Sequence, residues 1–319
     1  MSYFVGAYAS SPCSSGWDPK LEAEFYDQLK KVPTLKGLEH PFLGEHLHAH
    51  DDEWFLKTID PSWQFVFTCV PGTMAAIGSN PHFGIASDDV DGREQALAFM
   101  EKARAAIVKL NAHAGRQVVQ AIEMQTAPNK AKASSSPASL KASLETMLAW
   151  DWQGAQIVLE HCDTFIEGQT PAKGFLTLDE EIEVVKAVNE AHNADIGVVI
   201  NWGRSVIETR SASGAVEHIK RAKDAGVLAG LMFSGVADQE TPYGCWADTH
   251  MPAAKSAGAE IGAEGSLMTE EEIHRCVEAA GGEELPILGV KLGIRPKDES
   301  VDNRVAYNRE ALAMISRAQ

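Results

Sequence analysis

The stretch Gln156-Ile-Val-Leu-Glu-His-Cys-Asp163 is an apolar run that ends abruptly in a carboxylate, an imidazole, a thiol and a second carboxylate. Such a run is typical of a buried strand that meets its loop at a reactive rim. Similar transitions recur along the chain about every 30 to 45 residues, which is the spacing of successive strand-helix units. The stretch therefore predicts an α/β fold whose active site lies at the ends of the strands.

The same pattern predicts eight strands separated by amphipathic helices. The predicted strands cover residues 3–8, 37–42, 64–70, 117–125, 155–161, 196–201, 228–234 and 286–292. The clearest helices are predicted over residues 19–31, 91–114, 178–192, 213–225, 270–280 and 303–317. Thr177 followed by Glu180 fits a capping box that begins a helix, and Gly115 lies where a helix should end.

Strict alternation of strands and helices requires parallel strands joined by crossovers, and eight such units close into a (β/α)8 TIM barrel. An open, doubly wound sheet is the alternative. We favour the barrel because no GxGxxG follows the first strand and no GxxxxGK[ST] occurs in the chain, so the usual nucleotide-binding motifs of open sheets are missing. We expect a single domain over residues 1–319.

Four predicted connections are longer than a tight turn, at residues 43–63, 71–90, 127–139 and 235–268. All four follow strands, so a barrel would place them together on the face where active sites lie. They are expected to form the walls of the site, although long polar loops are also tolerated as simple insertions.

Composition narrows the class of protein. Of 319 residues, 45% are hydrophobic and 23% are charged, as in an ordinary soluble globular protein. No apolar run approaches the ~20 residues that span a bilayer. The N-terminus lacks the basic segment of a secretory signal, so we expect a cytoplasmic protein that binds no membrane.

Charge and cysteine usage exclude further classes. The net charge of −17, from 45 acidic and 28 basic residues, opposes binding to nucleic acid. The five cysteines are scattered and form no CxxC pair, which disfavours a disulfide framework and a thiolate zinc site.

Polar residues end the mostly apolar strands. Burying such groups in a barrel would cost several kcal/mol unless they pair or serve a site. Side chains alternate along a strand, so only one of Glu160 and His161 need point inward. For Glu160 we favour a functional role over that of a structural carboxylate that bonds to neighbouring strands. For His161 we favour a structural position under the surrounding helices over a role in the site. Lys291 interrupts an apolar strand and either faces the site or extends to the rim. The strand-end candidates are Tyr8, Glu39, His40, Cys69, Glu123, Gln125, Glu160, His161, Asn201, Arg204, Ser234 and Lys291.

Two loops carry further candidates. One loop combines aromatic rings, which stack on sugars, with Asp248 and His250, which hydrogen-bond to hydroxyl groups. Its sequence is Tyr243-Gly-Cys-Trp-Ala-Asp-Thr-His250. The alternative is that the aromatic side chains only hold the loop in place. Glu45-His-Leu-His-Ala-His-Asp-Asp52 looks like a metal cluster, but we expect its histidines to be exposed because no predicted element fixes them.

The strand endings Gly37-Leu-Glu39, Ala121-Ile-Glu-Met-Gln-Thr-Ala-Pro128 and Val158-Leu-Glu160 resemble those of the xylose isomerase-like TIM barrels. That superfamily includes sugar isomerases, sugar epimerases and endonuclease IV. The resemblance covers residues 3–315. The chain also resembles an uncharacterised bacterial family of about this length.

The resemblance implies a divalent metal held by Glu at strand five, by Asp and His three residues apart at strand six, by His at strand seven and by Glu at strand eight. Of these ligands only Glu160 is evident. The corresponding positions here read Asn201-Trp-Gly-Arg204, Ser234 and Lys291. No cofactor is therefore predicted, although a divalent metal at Glu160 stays open. We hypothesise that Lys291 and Arg204 supply the positive charge instead.

These observations predict an enzyme that moves a proton next to a carbonyl of a sugar or sugar derivative, as in isomerisation, epimerisation or elimination. Glu160 or Glu123 would be the base, Lys291 and Arg204 would stabilise the oxyanion, and His250 would be a second acid or base. The alternatives are glycoside hydrolysis by Glu123 and Glu160, and a barrel that only binds carbohydrate. Self-association is compatible with the fold, but no interface signature is evident. The expected substrate contacts are Glu39, His40, Gln125, His161, Asp163, Asn201, Trp202, Ser234, Trp246 and Asp248.

Overall fold

In the computed structural model, which describes residues 2–282 and 285–319, eight parallel strands close into a barrel in chain order. The (β/α)8 prediction is confirmed, and an open sheet is excluded because the first strand pairs with both the second and the eighth. The strands are β1 Tyr3–Val5, β2 Leu35–Pro41, β3 Gln64–Thr68, β4 Val119–Met124, β5 Gln156–His161, β6 Gly197–Asn201, β7 Leu228–Phe233 and β8 Ile287–Val290.

The helices cover the outside of the barrel and part of its mouth. Along the described chain they are α1 Ala7–Ser10, α2 Pro19–Leu29, α3 Asp52–Thr58, α4 Val70–Ser79, α5 Val90–Ala114, α6 Pro137–Leu148, α7 Leu178–His192, α8 Trp202–Thr209, α9 Ala212–Asp224, α10 Glu270–Ala280 and α11 Val301–Ala318. The capping box of Thr177 and Glu180 begins α7, and Gly115 ends α5 in the left-handed conformation, as predicted. None of the described helices is long and apolar enough to cross a membrane.

Some predicted boundaries were wrong. β1 ends at Val5, so Tyr8 lies on α1 rather than on a strand. The predicted loops 43–63 and 71–90 contain α3 and most of α4. Asp51 caps α3, since its carboxylate accepts the Trp54 amide. Cys69 precedes α4 and makes no side-chain cap, so the only start signal there is the proline in the first turn of the helix, Pro71. A fifth long connection, residues 162–177, was not predicted.

Two layers of inward-facing side chains fill the barrel. The lower layer is apolar, and its members include Phe4, Val66, Ala121, Val158, Val199, Met232 and Ile287. Since side chains alternate along a strand, the next inward position lies two residues further toward the mouth. At five of these strands that position is polar. The apolar layer is therefore followed, two residues closer to the mouth, by a polar layer that we call the polar floor. The five residues are Thr68, Glu123, Glu160, Asn201 and Ser234.

Candidate active site

Glu160 is the centre of the polar floor and is completely buried. Its Oε1 accepts hydrogen bonds from Asn201 (3.1 Å) and Lys291 (3.0 Å), and its Oε2 accepts one from Gln125 (3.1 Å). Arg204 Nη1 lies 2.8 Å from the same Oε2. Burial by itself raises a carboxyl pKa, but Arg204 and Lys291 hold the pKa of Glu160 far below its usual range. A carboxylate this well solvated by donors is a poor proton acceptor, so the geometry disfavours the predicted role of Glu160 as base.

Lys291 follows β8 and points into the barrel, with its side chain fully buried. Its Nζ lies 2.6 Å from Oε1 of Glu39 and 3.0 Å from Oε1 of Glu160. Burial lowers the pKa of a lysine, but these two carboxylates raise the pKa of Lys291 well above its usual value. The ammonium therefore stays charged, and the alternative of a side chain extending to the rim is excluded.

Three carboxyl groups meet beside this ammonium: one oxygen from each of Glu39, Glu123 and Glu160 lies within 4.8 Å of the others. Burial, together with the charges of Glu160 and Glu39, raises the pKa of Glu123 well above its usual value. Glu123 is therefore a neutral acid. The pKa of Glu39 is also raised, by burial first and by Glu160, against the opposing effect of Lys291. Glu39 therefore differs from Glu160, whose pKa is lowered, and it has the closest contact with the ammonium of Lys291, at 2.6 Å.

A cavity of about 230 Å³ opens beside Glu39, at the side of the mouth formed by the loops that follow β1 and β2. Its wall is aromatic: the Trp17 ring stacks on the His50 ring at 4.7 Å and 15°, and meets the Trp54 ring edge-on at 4.8 Å. Polar and aromatic lining residues include Tyr8, Ser11, Cys13, Ser14, Trp17, Glu22, Tyr26, Glu39, His48 and His50. Glu39 thus faces both the buried lysine and the cavity.

Tyr8 brings a hydroxyl to the same corner. Its Oη is buried, and no described residue hydrogen-bonds to it. Burial and the charge of Glu39 raise the pKa of Tyr8 well above its usual value, so the phenol stays protonated. A neutral buried donor without a protein acceptor is costly unless a ligand or water accepts from it.

Asp248 organises the opposite side of the mouth. Its Oδ2 accepts from Lys173 (2.8 Å) and Arg204 (3.2 Å), and its Oδ1 lies 3.2 Å from Nδ1 of His250. Burial lowers the pKa of His250 to about 3 despite the opposing charge of Asp248, so its imidazole is neutral at pH 7. The backbone of Gly293 donates to the His250 carbonyl at 2.6 Å, which fixes this loop against the exit of β8. Asp248 and Arg204 therefore tie the loop after β7 to Glu160.

Two predicted substrate contacts lie away from the cavity. His161 follows the inward-facing Glu160 and points under the helices, where burial would lower its pKa but Glu181 and Glu208 raise it to about 10. Trp202 is buried in the core between strands and helices. His40, in contrast, is among the residues that line the cavity beside Glu39. It is nevertheless buried, since its ring packs 4.4 Å from Phe55 and its Nε2 lies 2.6 Å from the carbonyl oxygen of Leu47.

Other predicted contacts are structural supports. Asp163 accepts the backbone amides of Ala172 and Lys173 and so holds the loop after β5. Trp246 stacks on the guanidinium of Arg210 at 5.0 Å. Ser234 donates to Oδ1 of Asn201, which orients that amide toward Glu160.

Sequence reasoning missed two residues and misplaced two others. Trp17 and Lys173 lie in connections that were not considered. Tyr8 was a candidate at the end of a predicted strand, but it lies on α1. His48, expected on the surface with its neighbours, is buried, whereas His50 is exposed but stacked. The signal available for Trp17 was its position after the first strand, since such loops line the mouth of a barrel.

The polar floor does not fit a divalent metal. Three carboxyl groups form a donor set that a hard cation prefers. However, Lys291 Nζ already contacts oxygens of Glu39 and Glu160, and Arg204 covers the other oxygen of Glu160. A metal there would face two protein cations at close range, so these residues do not fit the metal that the resemblance implied.

Comparisons with known proteins agree with this architecture. The model of the family described as "Domain of unknown function (DUF4862)" matches residues 4–307. An uncharacterized protein of Salmonella typhimurium, STM3670, is 36% identical over 321 residues, which cover 99% of this chain and 97% of that protein.

Two solved structures illustrate the shared fold. A xylose isomerase domain protein from Alicyclobacillus acidocaldarius superposes with a TM-score of 0.53 at 12% identity, covering 100% of this chain and 99% of the other. A D-psicose 3-epimerase, solved in the presence of D-fructose, superposes with a TM-score of 0.55 at 12% identity and the same coverage. The fold is thus a xylose isomerase-like TIM barrel, as the strand endings predicted.

Proposed function

The chain belongs to the DUF4862 family, and we propose that it is an enzyme that moves a proton next to the carbonyl of a small sugar or sugar derivative, as an isomerase or epimerase does. The observation that carries the proposal is the position of Glu39, a carboxylate with a raised pKa that lies between an aromatic-walled cavity and the buried ammonium of Lys291.

The cavity suits a small carbohydrate. Its volume of about 230 Å³ lies below the roughly 300–1,000 Å³ of pockets for drug-sized ligands, and its aromatic wall matches the apolar face of a sugar ring. The names of the two structural neighbours also refer to sugars, xylose in one and psicose and fructose in the other.

The chemistry follows from the corner of the cavity at Glu39. A substrate carbon next to a carbonyl would lose its proton to Glu39, whose raised pKa makes it a stronger base than an ordinary carboxylate. The negative charge that develops on the carbonyl oxygen would be stabilised by the hydroxyl of Tyr8 and the ammonium of Lys291, which need no reorganisation during the reaction. Glu160 would hold that ammonium in place rather than act as the base.

Two alternatives gain less support. Glycoside hydrolysis would use Glu123 and Glu160, but the described lining of the cavity includes neither, whereas it includes Glu39. A barrel that only binds sugar would not require a raised pKa for the carboxyl group at the floor of its cavity.

The test is isotope exchange. The protein is incubated with a panel of aldoses, ketoses and their phosphates in deuterated water, and deuterium at the carbon next to the carbonyl is followed by NMR. We expect the wild type to label at least one sugar and Glu39→Gln to lose the labelling. Glu183→Gln, an exposed carboxylate on the outer face of α7, is the matched control and should label as the wild type does. Equal labelling by Glu39→Gln would overturn the assignment of the base.

A further inference from the structure

A second cluster of ionisable side chains lies outside the barrel wall, between β5, α8 and α9. It consists of His161, Glu208 and His218, whose potential ligand atoms lie within 4.8 Å of one another. The proposed reaction at the mouth uses none of them.

The two imidazoles converge on one carboxylate. Nε2 of His161 lies 3.2 Å from Oε2 of Glu208, and Nε2 of His218 lies 3.6 Å from Oε1 of Glu208. In a tetrahedral zinc site with bonds of about 2.0–2.1 Å, neighbouring ligand atoms are about 3.3 Å apart. The two distances, each to a different oxygen of Glu208, lie on either side of that value. One ligand atom from each of the three residues lies within 4.8 Å of the other two, so an ion can be accommodated if the side chains move closer together.

The other nitrogen of each ring is already held by a second group. Nδ1 of His161 lies 2.7 Å from Oε2 of Glu181, and the other oxygen of Glu181 accepts from Thr126 at 2.6 Å. Nδ1 of His218 lies 3.0 Å from the hydroxyl of Ser205. Metal-binding histidines are oriented in this way, with one nitrogen on the metal and the other on a carboxylate or hydroxyl.

The carboxylate is also oriented and reachable. Oε2 of Glu208 accepts the backbone amide of Thr164 at 2.9 Å, which fixes the carboxylate toward the two rings. The Glu208 side chain is 11% exposed, whereas those of His161 and His218 are 0% and 4% exposed. Solvent therefore reaches the cluster from the Glu208 side, and a water molecule can complete the coordination.

We propose that His161, Glu208 and His218 form a binding site for a divalent transition metal ion, with Zn²⁺ as the best fit to two imidazoles and one carboxylate. Binding displaces the proton that His161 shares with Glu208. The ion ties α8 and α9 to the end of β5, and so stabilises the strand that carries Glu160.

The experiment uses the full chain after removal of metals, titrated with Co²⁺ as a spectroscopic probe and with Zn²⁺ for stoichiometry. We expect about one ion per chain, the visible absorption of four-coordinate Co²⁺, and a rise in the melting temperature of the protein. Glu208→Gln and His218→Gln should lose these effects. Glu181→Gln, which removes only the group behind His161, should weaken binding about 10- to 100-fold. His192→Gln is the matched control, because His192 pairs with Glu145 on the surface at 3.1 Å.

A measurement on the wild type alone does not depend on the variants folding. In the Co²⁺-loaded protein, two hyperfine-shifted ring N–H signals are expected, one from each histidine. Absence of stoichiometric Co²⁺ binding, shifted signals from fewer than two histidines, or unchanged binding by folded Glu208→Gln would overturn the proposal.

Discussion

The ammonium nitrogen of Lys291 lies 2.6 Å from Oε1 of Glu39, with both side chains completely buried at the mouth of the barrel. The two residues come from opposite ends of the chain and meet because β8 and β2 both pair with β1. Glycine at position 6, at the end of β1, leaves room for this contact, since a Cβ there would lie 2.7 Å from Oε2 of Glu39. The pair places a fixed positive charge beside the candidate base without a metal ion.

Removing that charge should destabilise the fold. In Lys291→Met the carboxylate of Glu39 loses its buried counter-ion, whereas Glu160 keeps Arg204. Breaking such a pair from one side typically costs about 3–5 kcal/mol, and urea unfolding should show a loss of this size. Combining Lys291→Met with Glu39→Gln should recover part of it, because the carboxylate that lost its counter-ion is then removed.

Lys102→Met is the matched control for this prediction. Lys102 pairs with Glu45 on the surface, where ion pairs contribute about 0–1 kcal/mol. A loss no larger for Lys291→Met than for Lys102→Met would contradict the buried pairing.

The hydroxyl of Tyr8 should matter for catalysis and not for folding. Tyr8→Phe removes a buried donor that has no described protein acceptor, so the free energy of unfolding should stay the same or rise. The rate of isotope exchange should fall about 10²–10³-fold, the typical effect of losing one donor to an oxyanion. Tyr307→Phe, at a tyrosine that lines a different cavity, should leave the rate unchanged. An unchanged rate in Tyr8→Phe would remove Tyr8 from the site.

The stability of the protein should depend on pH through Glu123. Burial raises its pKa above that of the unfolded chain, about 4.3, so between the two values the folded state binds more protons than the unfolded state. Stability contributed by this group is therefore present at low pH and is lost as pH rises.

Glu123→Gln tests this directly, because an amide is a neutral mimic of the protonated acid. The difference in unfolding free energy between Glu123→Gln and the wild type should shift in favour of the variant as pH is raised from about 5 to about 9. A difference that stays constant over this range would show that Glu123 is ionised in the folded protein.

The aromatic wall should set sugar affinity. Trp17→Ala removes the ring that stacks on His50, and aromatic contacts contribute about 0.5–1.5 kcal/mol beyond the area they bury. Binding of the sugar identified by isotope exchange should weaken about tenfold in calorimetry. Trp150→Ala, which disrupts the Trp150–Trp152 pair, is the control and should bind as the wild type does. Similar affinity in Trp17→Ala would place the sugar elsewhere.

The sequence predicts the barrel and most of its polar floor because both follow from periodicity. Once Val158 is assigned to the interior, alternation brings Glu160 inward and sends His161 under the helices. The assignment itself was ambiguous, since Val158 and Leu159 are both apolar. The cavity wall was beyond such reasoning, because Trp17 and His50 meet through two separate loops whose contacts no local pattern encodes. The sequence also could not show that the Glu160 carboxylate is paired on both oxygens, because its four partners come from different parts of the barrel. These partners are Gln125, Asn201, Arg204 and Lys291.

The most direct test of the central claim is isotope exchange by protein stripped of metal ions. We predict that the metal-free wild type still labels the sugar next to its carbonyl, because Lys291 supplies the charge, and that metal-free Glu39→Gln does not. The same assay in Glu208→Gln removes any contribution from the outer histidine cluster. If stripping abolishes labelling, and added divalent metal restores it in both the wild type and Glu208→Gln, a metal at the mouth is required and the role assigned to Lys291 is contradicted.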